Sequence, residues 1–351
     1  MIDWTLAERI AAFVAGRPEE PPLAPDVEAL SAESESRVVA YTGLQPREPL
    51  PRAERVGRAE WAQANVSGMQ RLLDPVLTKL GSKGPLGPAM RLAAGALFTA
   101  EVGVVLGFLS QRVLGQYELV LLEPVTEAAE RRPPRLLFVE PNLSAAVRKL
   151  GVDETEFVTW VALHEVTHAV QFGGVPWLQE HLAGQVAALL AGMEVRLDAK
   201  RAARLPGRED LRRLVDAVRE GDLVALVARP EEREALDRLQ AVMAVVEGHA
   251  EHVMDEVGAS LLPSLPQLRA ALDRRRRSAS APARLLSRLL GLELKMRQYT
   301  LGKQFCDAVV REGGREALSR VWSSPEALPT LAELENPRGW LERTRVPSLS
   351  N

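Results

Sequence analysis

Several features that commonly announce a function are scarce or missing in this sequence. Cysteine occurs once, at Cys306, which excludes an intramolecular disulfide framework and suits a reducing compartment. An excess of charge of one sign is lacking as well: 44 Lys and Arg stand against 47 Asp and Glu, a formal net charge of −3. No global basic field therefore points to nucleic acid as a partner. No glycine-rich loop of the G-x-G-x-x-G or G-x-x-x-x-G-K type occurs, which removes the usual sign of a phosphate-bearing cofactor. The opening MIDWTLAERI has neither a basic n-region nor an apolar h-region, so a signal peptide is not expected and cytoplasm is the default location. One apolar run, RLAAGALFTAEVGVVLGFLSQRV at 91–113, invites a membrane reading, but Glu101 lies in its middle and three glycines interrupt it. A charge at the bilayer centre costs about 3 kcal/mol on insertion scales. The run reads instead as a helix in the core of a helical domain, with no membrane span.

What is present fits an ordinary globular chain. Of 351 residues, 46% are apolar and 26% charged, enough to build a core. Residues 4–15 read as a short amphipathic helix, and RPEEPPLAP at 17–25 breaks it with four prolines. The pattern from 27 to 113 is helical, interrupted by GSKGPLGP at 81–88. YELVLLEP (117–124) and RLLFVEP (135–141) are short, branched and closed by proline, and read as a pair of strands. Helical patterning then returns. Asp153 with Glu156 three residues on marks a capped start, Gly173-Gly174 a stop, and Pro176 suits the first turn of the next helix. A long helix runs from about Glu231 to Val257. DRRRRSASAPA (273–283) reads as an exposed loop whose arginines are a solvated surface, and residues 291–310 form another helix. No internal repeat is found. The expected fold is mainly α, with a small β element before the central helix. The expected organisation is an N-terminal helix and connector (1–26), one α-rich domain (27–343) and a tail (344–351).

The segment HEVTH carries the chemistry. Four residues apart on a helix, His164 and His168 lie one turn apart on one face and can converge on one ion. Zinc accepts imidazole nitrogen at about 2.1 Å and keeps a position for water when three protein ligands bind. Glu165 lies beside the first histidine, where it can take a proton from that water. Phe157, Trp160, Val161, His164 and His168 share one stripe at 100° per residue, with Glu165 on its flank, so both histidines face inward. A pair of hydrogen-bonded core histidines would satisfy the same pattern. Two of the chain's five histidines on one inward face, with Glu between them, favour the metal.

A third ligand must come from further along the chain. Glu180 lies in WLQEHLAGQV, but Leu178, Leu182, Val186, Leu189 and Met193 define the buried side of that helix and Glu180 points nearly opposite, toward solvent. In VVEGHAEHVMDE the choices are Glu247, His249 and His252. The stripe Leu236, Leu239, Met243, Val246, Ala250, Met254 and Val257 puts Glu247 at its edge and His252 nearly across from it. A carboxylate at a core edge needs a partner, and a divalent cation is a good one. Glu247 is the expected third ligand to a single zinc ion. Glu251 and Asp255, one and two turns beyond it, could each orient a ligand histidine through its distal N–H. A transition-state donor would come from His249, His252 or Tyr299. His181 is expected to pack or hydrogen-bond near the end of the HEVTH helix.

HEVTH followed far downstream by EGHAEHV resembles the glutamate-type zincins, in which the third ligand heads an EGxAxx segment on a second helix. More closely, the chain resembles the family of zincin-like metallopeptidases type 2, a group labelled as associated with deazaflavin coenzyme biosynthesis. The resemblance rests on WTLAERIA, EPNL, HEVTHAVQF-GGVPWL, VVEGHAEHVMD and LKMRQYTLGKQF. It implies a zincin-like helical fold and a zinc-dependent hydrolase in which Glu165 is the general base and a peptide or protein the substrate. A strand such as 135–140 could align an extended peptide by edge pairing. The competing reading is a non-catalytic, zinc-stabilised scaffold or interaction protein. An open coordination position separates the first from the second.

Overall fold

The computed structural model describes residues 2–17, 21–81, 88–119, 132–194, 230–277 and 292–345. In chain order the helices and strands are α1 (Trp4–Ala15), α2 (Val27–Thr42), β1 (Ala53–Val56), α3 (Arg58–Gly81), α4 (Pro88–Ser110), β2 (Gly115–Glu118), β3 (Arg135–Val139), α5 (Glu140–Leu150), α6 (Glu154–Gly174) and α7 (Leu178–Glu194). They continue with α8 (Pro230–Leu261), α9 (Leu265–Arg277), α10 (Leu292–Ser319), α11 (Leu331–Glu335) and α12 (Pro337–Arg343), with two short 3₁₀ turns between α10 and α11. The fold is mainly α with a small sheet before the HEVTH helix, as the sequence pattern implies.

The sheet has three strands in the order β1-β3-β2, with β1 parallel and β2 antiparallel to β3. β3 is the central strand, and its apolar run RLLFV follows from burial on both faces. Leu136 and Phe138 point into the core around α6, whereas Leu137 and Val139 point into the core formed with α1, α3 and α4. Two expectations change here. With neighbours on both sides, β3 has no free edge for a peptide. β1 was also unforeseen, because AERV has no apolar alternation. It is held by pairing with β3 and by ion pairs from Arg135 to Glu54 (2.5 Å) and from Arg55 to Glu140 (2.6 Å). The strand expected at 117–124 is observed as Gly115–Glu118, and residues 120–131 lie outside the described residues. The loop expected at 273–283 is helical as far as Arg277, and 278–283 are likewise outside.

Two of the three cores meet around two helices. α6 is buried on nearly its whole circumference, from Phe157 to Gln171, as befits a helix that is apolar all round. Asp153 caps it by accepting from the Glu156 N–H at 2.9 Å. The Glu156 carboxylate instead reaches α9, accepting from Ser264 N–H at 2.9 Å. α8 lies between two cores: Val253, Met254 and Val257 pack with α6, and Ala241, Val242, Val245 and Val246 pack with α7 and α10. The apolar run at 91–113 is accounted for by α4. A Cβ at Gly103 or Gly107 would meet the Ala7 or Ala11 carbonyl of α1 at 2.8 or 2.7 Å, so these two glycines let the backbones approach. Among the described residues no helix is long and apolar enough to cross a membrane.

Candidate metal centre

α6 presents His164 and His168 one turn apart, and α8 crosses near them carrying Glu247. The His168 and His164 Nε2 atoms are 3.2 Å apart, and Glu247 Oε2 lies 3.5 Å from the first and 3.7 Å from the second. An ion about 2.1 Å from each of three tetrahedral donors would hold them about 3.4 Å from one another. The three observed separations straddle that value, so the donors fit one small divalent cation of the zinc type. Among the described residues this is the one group of three or more His, Cys, Asp or Glu side chains able to hold a metal. Burial works against a charged imidazole at His168, yet the Glu247 carboxylate beside it, with Glu165 and the Gln171 bond, raises its pKa to about 9. The cluster attracts positive charge.

Each histidine is also held from behind. His168 Nδ1 lies 2.9 Å from Gln171 Oε1, and His164 Nδ1 lies 3.1 Å from the Met254 sulfur. Amide oxygen and thioether sulfur are acceptors, so both rings donate from Nδ1 and leave Nε2 free for the cluster. Glu251 and Asp255 were the residues expected in this role. They point elsewhere: both pair with Arg269, and Asp255 also pairs with Lys303 at 3.0 Å. Four-residue steps from Glu247 drift around α8 toward α9 and α10, where those cations lie. The i+3 step from His168 to Gln171 was the available signal for the actual partner.

Glu165 is buried beside the cluster. Its Oε2 accepts the Tyr117 N–H of β2 at 2.9 Å, which fixes the carboxylate and leaves the other oxygen unclaimed by that bond. Gly115 makes this approach possible, since a Cβ there would lie 2.7 Å from Glu165 Cγ. Neither residue of β2 was singled out from the sequence.

The remaining candidates are dispersed. Glu180 is exposed on α7, as its phase requires, and His181 packs edge-on against Trp177 with ring centroids 5.8 Å apart. His252, expected opposite the buried stripe, is itself buried. It contacts Tyr41 Oη at 2.8 Å and Asp307 Oδ1 at 2.7 Å. The helical wheel assumed one buried face, and α8 has two. Burial alone would favour the neutral acid at Asp307, but bonds from His252 and Lys303 hold it below the ordinary carboxylate range. His249 is buried against Trp322 with its Nδ1 2.9 Å from Gln171 Nε2. Both histidines are thus engaged in the protein interior. The Tyr299 side chain lies outside the described residues.

Burial pushes the His249 pKa down to about 3, helped by His252 and His168. A folded value below the unfolded one, about 6.5, means that the unfolded chain takes up a proton first as the pH falls. Stability from this site is therefore intact above about pH 6.5 and falls by about 1.4 kcal/mol per unit below it, until about pH 3. His249→Asn keeps an acceptor near Nδ1 and cannot be protonated. Urea unfolding at pH 6.5 and 5.0 should show the wild type losing about 2 kcal/mol more than this variant; equal losses would place the acid sensitivity elsewhere.

Comparison with known proteins agrees with this geometry. The profile of the zincin-like metallopeptidases matches residues 2–341. The chain belongs to that family. A zincin-like metallopeptidase is thus built here with its two histidines on α6 and a carboxylate from α8 beside them. A crystal structure from Chloroflexus aurantiacus, described as that of a candidate hydrolase with a novel fold, is similar to this zincin-like protein at 31% identity and a TM-score of 0.69, covering 98% of each chain. No curated protein matches the chain. Family and cluster together support a metal-dependent hydrolase.

Proposed function

We propose that this zincin-like protein is a cytoplasmic zinc hydrolase acting on peptide bonds, with His164, His168 and Glu247 as ligands and Glu165 as general base. The observation that carries the reading is the triangle of donor atoms at 3.2, 3.5 and 3.7 Å. Two imidazoles and one carboxylate are the donor set of a catalytic zinc site. Zinc held there supplies Lewis acidity, polarising a carbonyl and favouring deprotonation of water. Glu165 accepts that proton, and the Tyr117 N–H keeps its carboxylate aimed. Among the described residues the cluster offers three ligand side chains, the number a catalytic zinc site takes from protein. With β3 enclosed, the strand beside α6 that could align an extended peptide is β2, whose Tyr117 already contacts Glu165.

The ligand assignment has a direct test. Glu247→Ala removes one of three ligands and should abolish stoichiometric zinc, measured by mass spectrometry after dialysis. Glu180→Ala should leave zinc content and melting temperature near the wild type, because an exposed charge contributes little. The reverse pattern would move the third ligand to α7. Quenched peptide libraries should be cleaved by the zinc-loaded protein, and cleavage should stop with a chelator and return with zinc. A loaded protein that cleaves no peptide would redirect the substrate class.

A further inference from the structure

Gln171 has polar atoms that reach both helices of the metal centre next to the candidate ligands. It follows His168 by three residues on α6, so its amide lies one turn on. Its Oε1 is 2.9 Å from His168 Nδ1, and its Nε2 is 2.9 Å from the Val246 carbonyl and 2.9 Å from His249 Nδ1. Val246 is the residue before Glu247. Gln171 and His249 are both buried in the interior.

We propose that Gln171 is a positioning residue that fixes the ligand tautomer of His168 and locks α6 to α8 in the register the metal requires. The contacts leave one consistent proton arrangement. A backbone carbonyl can only accept, so the amide atom facing Val246 is the NH₂ nitrogen. The opposite flip would set two oxygens against each other at 2.9 Å. The amide oxygen therefore faces His168, and Nδ1 must carry the proton. With Nδ1 as the donor, His168 Nε2 is the atom that would give its lone pair to a metal ion held with His164 and Glu247. The second amide hydrogen goes to His249 Nδ1, which is consequently the acceptor nitrogen of a neutral ring. His249 anchors the amide; it does not ligate. The opposite amide orientation would turn the N–H of His168 into the cluster and close the site to a cation. Because the partner is neutral, orientation is achieved without adding negative charge behind the ligand.

This inference rests on the metal reading above, and its test separates the two. Gln171→Met keeps a similar length and loses both amide functions. Gln171→Glu keeps an acceptor for His168 and loses the donor to Val246 and His249. Zinc affinity is read by competition with a chromophoric chelator. The His168 Nδ1–H is read as a slowly exchanging imide proton in ¹H–¹⁵N spectra of the zinc-loaded protein, and the melting temperature is recorded for each variant. Gln171→Met should weaken zinc by about 10- to 100-fold and make the imide proton exchange rapidly. Gln171→Glu should keep the imide proton protected while lowering both the melting temperature and zinc affinity, since the tie between the helices is replaced by an oxygen facing the Val246 carbonyl. Wild-type affinity with unchanged imide exchange in Gln171→Met would overturn the inference and leave the metal site standing. A wild-type protein that binds no zinc would overturn both. Should Gln171→Met fail to fold, Gln171→Glu decides: a protected imide proton with a lowered melting temperature supports the role, and rapid imide exchange or an unchanged melting temperature overturns it.

Discussion

Glu165→Gln should bind zinc as the wild type does and cleave its substrate about 10²- to 10⁴-fold more slowly. Glu165 is adjacent to His164 but is not among the three converging ligand atoms, so metal content should not change. The fold should survive as well. A glutamine oxygen can still accept the Tyr117 N–H, and the side chain fills the same space against Gly115. What is lost is the capacity to take a proton. The expected result is thus a split: kcat/KM collapses while zinc content and melting temperature hold. Unchanged turnover would show that another group accepts the proton. Loss of zinc would make Glu165 a structural partner of the ligands.

The largest structural effect is expected at Gly248, immediately after Glu247. A Cβ built there lies 2.1 Å from the Gly302 carbonyl carbon and 2.4 Å from the Lys303 nitrogen, and one at Gly302 lies 1.8 Å from the Ala244 oxygen. These are backbone contacts between α8 and α10, so no rotamer change relieves them. The helices must separate. Overpacking a well-filled interior costs about 1–3 kcal/mol and more when backbone has to move, and Gly248→Ala should fall at or above the top of that range. Displacement of α8 also moves Glu247 away from the histidines, so zinc affinity should drop with stability. Gly184→Ala in α7 is the control, because nothing lies within 4 Å of its Cβ position. That change should be neutral or stabilise by up to about 1 kcal/mol from helix propensity alone. Thermal unfolding of both variants, with zinc content, provides the check. A Gly248→Ala protein as stable as the wild type would mean that the close crossing is not needed.

The two glycines explain why glutamate is followed by glycine on α8: Glu247 sits where that helix meets α10 backbone to backbone. The same logic applies at β2, where the missing side chain of Gly115 lets the strand reach Glu165. In both places a glycine lets the backbone come close enough to locate an acid of the proposed site.

Features that repeat within one helix are legible in the chain alone. The spacing of His164 and His168 follows from helical geometry, as do the Asp153 cap and the assignment of Glu247 rather than Glu180 to an inward edge. The mainly helical class follows from the same periodicity. What faces these helices depends on packing. A wheel with one buried stripe cannot show that α8 is enclosed by two cores, so His252 was expected outside and is buried, and Glu251 and Asp255 turn to Arg269. β1 owes its existence to β3, which no pattern within AERV reveals. The i+3 spacing already offered Gln171 to His168, but its bonds to Val246 and His249 exist only because α6 and α8 pack together. Periodicity records which way a side chain leaves its own backbone; the groups waiting there come from distant parts of the chain, and only packing brings them into place.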